Sequence, residues 1–189
     1  TNLAAINSIN WARVLAQVVY YVTSAVALGA QGRSVAFSVP TGNFGDIYAG
    51  SIAQSMGVPI QTLIVATNEN DILHRALTTG EYRRAAVVQT SAPSMDIQIS
   101  SNFERALYDA LGRDGLAVAT LMEGIKGGGF TIPEEALARL RAGYASARVS
   151  EAETAETIAR IHRETGEVID PHTAIGIHAA GQVGATPGV

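Results

Sequence analysis

The sequence predicts an α/β fold in which a parallel sheet carries helices on both faces and is followed by a mainly helical part. Two patterns carry this prediction: short apolar runs alternate with amphipathic segments over residues 1–92, and helical periodicity dominates residues 93–189. Hydrophobic residues make up 47% of the 189 residues and charged residues 16%, which is enough apolar surface for a packed core. We therefore expect a single α/β domain made of these two parts.

The alternating part begins with a helix that Ser8 or Asn10 is expected to cap and that Gly29 is expected to end. This helix is apolar nearly all round, which predicts that it packs between the sheet and other helices. The elements expected after it are a strand at 34–39, a helix at 47–56, a strand at 60–65, a helix at 70–77 and a strand at 85–89.

The mainly helical part contains segments of helical pattern at residues 101–111, 133–143, 150–164 and 171–180. Ser150 and Glu153 have the spacing of a capping box, which marks the start of the third segment. Asp170 precedes Pro171, an order typical of a helix cap followed by the first helical residue. We therefore expect Asp170 to cap the last helix.

Composition and charge exclude several classes of function. The net charge of −4 leaves no basic surface for nucleic acid. The absence of cysteine excludes disulfides, thiolate metal sites and a cysteine nucleophile, and no cluster of His, Asp and Glu has metal-ligand spacing. The most apolar stretch, residues 14–30, contains polar side chains and barely reaches the ~17 residues of a membrane span. We therefore expect a cytoplasmic protein without metal, nucleic-acid or membrane contacts.

The sharpest local motif is Pro-Thr-Gly-Asn-Phe-Gly-Asp at residues 40–46, between a predicted strand and a predicted helix. Backbone N–H groups at such a corner point along the positive end of the helix dipole, where a phosphate is favoured. Gly42 and Gly45 are expected to allow close backbone approach and positive φ angles. The motif matches neither a P-loop nor Gly-x-Gly-x-x-Gly. Spacing alone therefore leaves two interpretations open, an anion-binding loop and an ordinary tight turn.

Other candidate residues have simpler interpretations beside the functional ones. The glycine triplet at 127–129 does not follow a convincing strand, so we interpret it as a plain loop. Lys126, the only lysine of the chain, is expected to be exposed in a flexible turn. His172 is open to two interpretations, a general acid or base and a helix residue. Ser94 and Asp96 either line a cleft or start a helix.

Five segments together resemble threonine synthase, a pyridoxal-phosphate enzyme of fold type II, the tryptophan-synthase-β-like fold. They occur in the family's order and span nearly the whole chain. The segments are Asn-Ser-Ile-Asn-Trp-Ala-Arg at 7–13, Thr-Gly-Asn-Phe-Gly-Asp at 41–46, Ala-Thr-Asn-Glu-Asn-Asp at 66–71, Ser-Met-Asp-Ile with Ser-Asn-Phe-Glu-Arg at 94–105, and Asp-Pro-His-Thr-Ala at 170–174.

The resemblance implies a lyase that converts O-phospho-L-homoserine and water into L-threonine and phosphate, the last step of threonine biosynthesis. Pyridoxal 5′-phosphate would be the cofactor. Its phosphate would be held by the backbone N–H groups of Gly42, Asn43, Phe44 and Gly45, while Asp46 would cap the following helix. The residues near the active cleft would be Asn7, Ser8, Asn10, Arg13, Ser94, Asp96 and His172. Among them, Arg13 would pair with a substrate anion.

The chain also departs from the family pattern. The family's Schiff-base lysine belongs to a Ser-Phe-Lys-Asp segment upstream of the first of these motifs, and this chain has no such segment. Lys126 does not match that motif, and the Ala-His-Pro strand that follows the family's last helix is absent as well. These departures imply a partial domain, the central to C-terminal portion of the enzyme. Alone it would bind cofactor poorly and catalyse nothing, and the remainder of its own polypeptide would be its partner.

Two other interpretations remain open. The first is a related lyase that acts on another phosphorylated amino acid or on a hydroxyamino acid. The second is a non-catalytic domain that binds a phosphorylated ligand or a partner protein, which the missing lysine favours and the five intact segments disfavour.

Overall fold

Three parallel strands form the central sheet of the computed structural model, in the order β1 (Val35–Pro40), β2 (Ile60–Thr67) and β5 (Tyr144–Arg148). The structure describes residue 7, residues 9–30 and residues 32–184. Because the strands are parallel, the segments that follow their carboxyl ends meet at one edge of the sheet.

The remaining elements surround this sheet. The helices are α1 (Trp11–Ala27), α2 (Gly45–Ser55), α3 (Ile72–Thr79), α4 (Phe103–Ala110), α5 (Gly115–Glu123), α6 (Glu134–Gly143), α7 (Glu151–Thr165) and α8 (Pro171–Val183). Short 3₁₀ turns lie at Pro93–Met95 and Gly124–Gly127, and β3 (Glu81–Arg83) pairs antiparallel with β4 (Gly129–Thr131).

The two faces of β2 show how the sheet is covered. Leu63 and Val65 belong to the larger core, which α1, α2, α3, α4 and α6 complete. Ile64 and Ala66 belong to a smaller core on the opposite face, closed by Ile175 of α8. All five side chains are at most 1% exposed. The predicted parallel sheet with helices on both faces is therefore confirmed.

Residues 85–89 are exposed and do not form the strand that their apolar character predicts. Side-chain amides bind their backbone instead: Asn70 Nδ2 donates to the Val88 carbonyl and Asn70 Oδ1 accepts from the Val88 N–H, both at 2.8 Å. Gln98 Oε1 accepts from the Ala85 N–H at 3.2 Å. The prediction is wrong because these distant side chains replace the neighbouring strand that would otherwise bind the segment.

The third strand of the sheet is β5, which lies in the part expected to be mainly helical. Its residues pair with β2 from Leu63 opposite Tyr144 to Thr67 opposite Arg148. The centre of the strand is Ala-Ser-Ala, without a β-branched or bulky apolar side chain. Strand formation here depends on the tertiary pairing with β2, so the local sequence gives little indication of it.

Helix ends agree more closely with the sequence. Asn10 Oδ1 accepts from the Ala12 N–H at 2.9 Å and caps α1, whereas Ser8, the other expected cap, lies outside the described residues. The capping box of Ser150 and Glu153 is formed at the start of α7. Asp170 caps α8 as predicted.

Besides β5, three further elements were not expected from the sequence: α5, β3 and β4. The glycine triplet at 127–129 leads from a 3₁₀ turn into β4, and Gly128 and Gly129 have φ angles of +105° and +150°. The triplet therefore shapes the connection into a hairpin strand. Among the described helices, none combines the length and apolar character needed to cross a bilayer.

Candidate functional site

The loop that joins β1 to α2, residues 41–45, borders a small cavity beyond the carboxyl end of β1. The cavity has a volume of about 120 Å³ and is also lined by Arg13 and Gln17 of α1. No backbone N–H group from Gly42 to Ile47 donates a hydrogen bond to another described residue. Unpaired amides at the positive end of a helix dipole provide a binding site for an anion.

The positive φ angle of this loop lies on Phe44 rather than on either glycine. Phe44 occupies the N-cap position of α2 with φ of 63°, while Gly42 and Gly45 are not among the residues with positive φ. Its ring is 1% exposed and packs 5.3 Å from the rings of Phe103 and Tyr144. A left-handed non-glycine residue costs about 1–2 kcal/mol. We attribute its persistence here to the burial of the aromatic ring.

Asp46 does not cap α2, contrary to the expectation from the sequence. No side chain caps this helix. The backbone carbonyl of Asp46 instead accepts a hydrogen bond from the Tyr21 hydroxyl at 3.1 Å, which ties the first turn of α2 to α1. Within the described ranges, no side chain therefore accepts a hydrogen bond from the N–H groups at the N-terminus of α2.

Gly42 is required by a close approach to the segment that contains Ser94. A Cβ atom at Gly42 would lie 2.8 Å from the Ser94 carbonyl oxygen and 3.4 Å from the Met95 Cα. The Ser100 hydroxyl also donates to the Gly42 carbonyl at 2.8 Å. The close approach expected at this glycine is thus an approach to another part of the chain.

Asn102 holds the loop from its other side. Its backbone N–H and its Nδ2 both donate to the Asn43 carbonyl, at 3.0 and 2.9 Å, and the residue is fully buried. Arg105 donates to Asn102 Oδ1 at 3.0 Å and to the Ile9 carbonyl at 3.0 Å, and its guanidinium lies 5.4 Å from the centre of the Trp11 ring. These contacts join three of the segments singled out by sequence: 7–13, 41–46 and 94–105.

Asp96 organises a second network at the carboxyl end of β2. Its Oδ1 accepts from Asn68 Nδ2 at 2.8 Å, Asn70 Nδ2 at 3.0 Å and the Thr90 hydroxyl at 2.7 Å, and its Oδ2 accepts from the Thr90 N–H at 2.9 Å. Partial burial alone would raise the pKa of Asp96. The hydrogen bonds from Thr90 and Asn68 outweigh it, with a smaller contribution from His172, and hold this pKa below its ordinary value.

Replacing Asp96 by asparagine is expected to destabilise the fold by about 2 kcal/mol at neutral pH, because donors that face a carboxylate lose their acceptor. A carboxyl whose pKa is lowered by folding stabilises the protein above its unfolded pKa, and this stabilisation is lost as the pH falls through the folded pKa. The difference in the free energy of unfolding between the wild type and the Asp96→Asn variant should therefore become smaller below about pH 4. Urea unfolding at pH values from neutral to below about 4 measures this difference. Glu156→Gln, at an exposed position, is the control. A stability difference that does not depend on pH would contradict the stabilising role of the ionised Asp96.

His172 lies in the first turn of α8, where Asp170 binds its ring. Nδ1 is 3.0 Å from Asp170 Oδ1, and Asp170 also accepts from the Thr173 hydroxyl at 2.7 Å. The hydrogen bond from that hydroxyl is the largest effect on the pKa of Asp170, which falls to about 2. The ionised Asp170 favours a proton on Nδ1 of the imidazole. His172 Nε2 is buried without a partner among the described residues and is then an available hydrogen-bond acceptor.

The predicted site residues are only partly brought together. Arg13 borders the cavity of the 41–45 loop, and the Ser94 carbonyl packs against that loop. The side chains of Asn7 and Asn10 are used locally, since Asn7 Oδ1 accepts from the Ile9 N–H at 3.1 Å and Asn10 caps α1. Ser8 lies outside the described residues.

Sequence reasoning missed residues that position the loop. The side chains of Asn102 and Ser100 were not assigned a role, although they belong to a segment already singled out. Gln17 lines the cavity with Arg13 and lies four residues after it, the spacing that places two side chains on one helix face. That spacing was a usable signal. No sequence signal indicates that Phe44 is buried against Tyr144, because the two residues are far apart in sequence.

Comparison with solved structures defines the class of protein. A pyridoxal-phosphate-bound threonine synthase from Brucella melitensis superimposes with a TM-score of 0.93 at 55% identity, covering 95% of this chain and 39% of that one. A threonine deaminase from T.th. shares the fold alone, with a TM-score of 0.55 at 18% identity over 89% of this chain and 50% of that one. The chain thus has the type II fold of pyridoxal-phosphate enzymes.

Sequence comparison gives the family. Threonine synthase of Pseudomonas aeruginosa is 53% identical over 181 residues, covering 95% of this chain and 39% of the relative. The chain belongs to the threonine synthase family and spans about 39% of the length of such curated relatives. No protein-family model matches it.

Proposed function

We propose that this chain is the part of a threonine synthase that holds the phosphate of pyridoxal 5′-phosphate and lines the adjoining substrate cleft. The observation that carries the proposal is the set of N–H groups from Gly42 to Ile47, which find no acceptor in the described part of the chain and surround a cavity of about 120 Å³. A phosphate dianion fits this donor set, because each amide donates a hydrogen bond and the dipole of α2 adds a favourable field.

Within this proposal, the amides of Gly42, Asn43, Phe44 and Gly45 bind the cofactor phosphate. The two hydrogen bonds from Asn102 fix the carbonyl of Asn43, and the buried ring of Phe44 fixes the turn that follows. The loop is therefore preorganised, and binding requires little ordering of the backbone. The bound cofactor supplies an electron sink for proton movements at the substrate's Cα and Cβ.

We assign the substrate anion to Arg13. Its side chain borders the same cavity and the residue is exposed, so the guanidinium is accessible to a phosphate or carboxylate. The proposed substrate, O-phospho-L-homoserine, carries both groups. Ser94, Asp96 and His172 would line the neighbouring part of the cleft, with Asp96 holding the segments that follow β2 and His172 Nε2 available to accept a hydrogen bond.

The lysine that holds the cofactor is proposed to come from polypeptide outside this chain. Lys126 is exposed in the 3₁₀ turn before β4, and its neighbours do not resemble the family's lysine segment. Accordingly, we expect the isolated chain to be inactive and the complete polypeptide to release phosphate from O-phospho-L-homoserine. Turnover of serine or threonine without such phosphate release would instead indicate the related lyase of different specificity.

Replacing Gly45 by valine in the complete polypeptide tests the phosphate loop. Gly45 is the buried first residue of α2, and a branched side chain there would crowd the space beside the amides. We expect the dissociation constant for pyridoxal phosphate, measured by absorbance titration, to rise about tenfold or more. The matched control is Gly143→Ala at the end of α6, where an added Cβ meets no atom within 4 Å. Unchanged cofactor affinity in a folded Gly45→Val variant would contradict the assignment.

A further inference from the structure

Two apolar stripes run along α1, about 100° apart around the helix axis, because each residue of the second follows a residue of the first by one position. The buried stripe consists of Val14, Val18, Tyr21 and Ala25, and the second, which we call the outer stripe, consists of Leu15, Val19, Val22 and Val26. The outer stripe is 36% to 63% exposed. The expectation that α1 packs between the sheet and other helices therefore holds for the buried stripe and is wrong for the outer stripe in the described structure.

The outer stripe has the composition of a buried interface. No charged residue occurs between Val14 and Ala27. Beyond its first turn, the helix therefore has no charged face of the kind that usually contacts solvent. Depletion of charge is typical of the centre of an interface. A continuous exposed apolar surface of this kind is uncommon in a protein that acts without a partner.

Open cavities lie at both ends of the outer stripe, one lined mainly by apolar residues and one lined by both apolar and charged residues. At the carboxyl end of α1, Val22 and Val26 border a cavity of about 710 Å³, together with Met56, whose side chain is 68% exposed. At the amino end, Trp11 is 48% exposed and borders a cavity of about 780 Å³ beside α4 and α5. Helix α5 contains no buried residue although most of its side chains are apolar, and its Leu116 is 79% exposed.

We propose that the outer stripe is the surface against which the enzyme's own polypeptide outside this chain packs. The inference rests on the proposed function, because it takes the chain to be part of a complete threonine synthase. The curated relatives carry well over half of their length outside the matched region, since the chain spans only 39% of them. That polypeptide is covalently linked, so its effective concentration at the stripe exceeds that of a second copy of the protein. Its contacting side chains are apolar, since the stripe offers no charge to pair with.

Cysteine labelling of the complete polypeptide tests this surface without reference to activity. Val19→Cys places a thiol in the centre of the outer stripe, and Ala159→Cys places one at an exposed position in the middle of α7 as the matched control. Both variants are treated with a maleimide in their folded and urea-unfolded forms, and the modified peptides are quantified by mass spectrometry. Cysteines elsewhere in the polypeptide do not interfere, because each peptide is measured separately.

We expect folding to slow the labelling of residue 19 by about tenfold or more, because reaction then requires local opening, while residue 159 labels freely. Equal rates at the two positions, or protection of both, would overturn the proposal. Protection of residue 19 that disappears on dilution would assign the stripe to a second copy instead and would equally overturn it. Because labelling does not depend on cofactor or substrate, a failure of the proposed function in the Gly45→Val titration remains separate from a failure here.

Discussion

Replacing Gly42 by alanine is expected to weaken the binding of pyridoxal phosphate to the complete polypeptide about tenfold, since overpacking of about 1–3 kcal/mol displaces the loop. The added Cβ would lie 2.8 Å from the Ser94 carbonyl oxygen. That oxygen cannot move away freely, because hydrogen bonds from Met95 to Ala92 and from Asp96 to Pro93 hold its segment in a 3₁₀ turn. The loop must therefore shift, and its amides turn away from a common target.

Absorbance titration with the cofactor measures this effect, and thermal unfolding shows whether the variant remains folded. The Gly143→Ala control should leave both measurements unchanged, because the space around that glycine is open. An unchanged affinity for the cofactor together with a lowered unfolding temperature would mean that Gly42 serves only the packing of the chain. That result would contradict the assignment of the loop to the cofactor phosphate.

Replacing Gly129 by alanine is expected to cause the largest loss of stability, about 3 kcal/mol or more, because a disfavoured backbone conformation and a steric overlap coincide. Gly129 has φ of +150°, and its Cβ would overlap the Tyr82 carbonyl oxygen and lie 2.7 Å from the Arg83 Cα. The hairpin of β3 and β4 cannot form with this overlap. Urea unfolding of the chain measures the loss.

The same variant should also disturb the 41–45 loop, although Gly129 is not in contact with it. Tyr82 stacks on Phe130 with ring centres 5.0 Å apart, and its hydroxyl accepts from the Ser100 N–H at 2.7 Å. Ser100 in turn donates to the loop at Gly42. Gly115→Ala is the control, because its Cβ meets nothing within 4 Å and alanine favours the helix that begins there. Wild-type stability of Gly129→Ala would contradict the hairpin as described.

The parts of the fold that the sequence predicts are those fixed by local patterns. The strands β1 and β2 are short runs rich in apolar and β-branched residues. The caps at Asn10, Ser150 and Asp170 bind backbone N–H groups within a few residues of themselves. The wrong predictions of secondary structure arise where residues distant in sequence determine the conformation of a segment. Segment 85–89 is apolar enough for a strand, but its backbone is bound by the side chains of Asn70 and Gln98.

The candidate site divides in the same way. Its loop can be located from the sequence, because a glycine-rich turn between a strand and a helix presents backbone N–H groups that can bind an anion. The reason for each residue in that loop is tertiary: Gly42 faces Ser94, and the carbonyl of Asn43 is held by Asn102. The positive φ angle at Phe44 depends on an aromatic cluster assembled from three separate segments. No spacing rule contains that information.

The position of Trp11 gives this chain an intrinsic optical probe. It is the only tryptophan of the chain, and the guanidinium above its indole belongs to Arg105, which is bound to Asn102 and through it to the carbonyl of Asn43. These contacts connect the 41–45 loop to the cation that lies against the indole ring, so we expect a displacement of the loop to alter the surroundings of Trp11. We therefore expect the fluorescence of this indole to change when an anion binds at the 41–45 loop, even when no chemistry takes place.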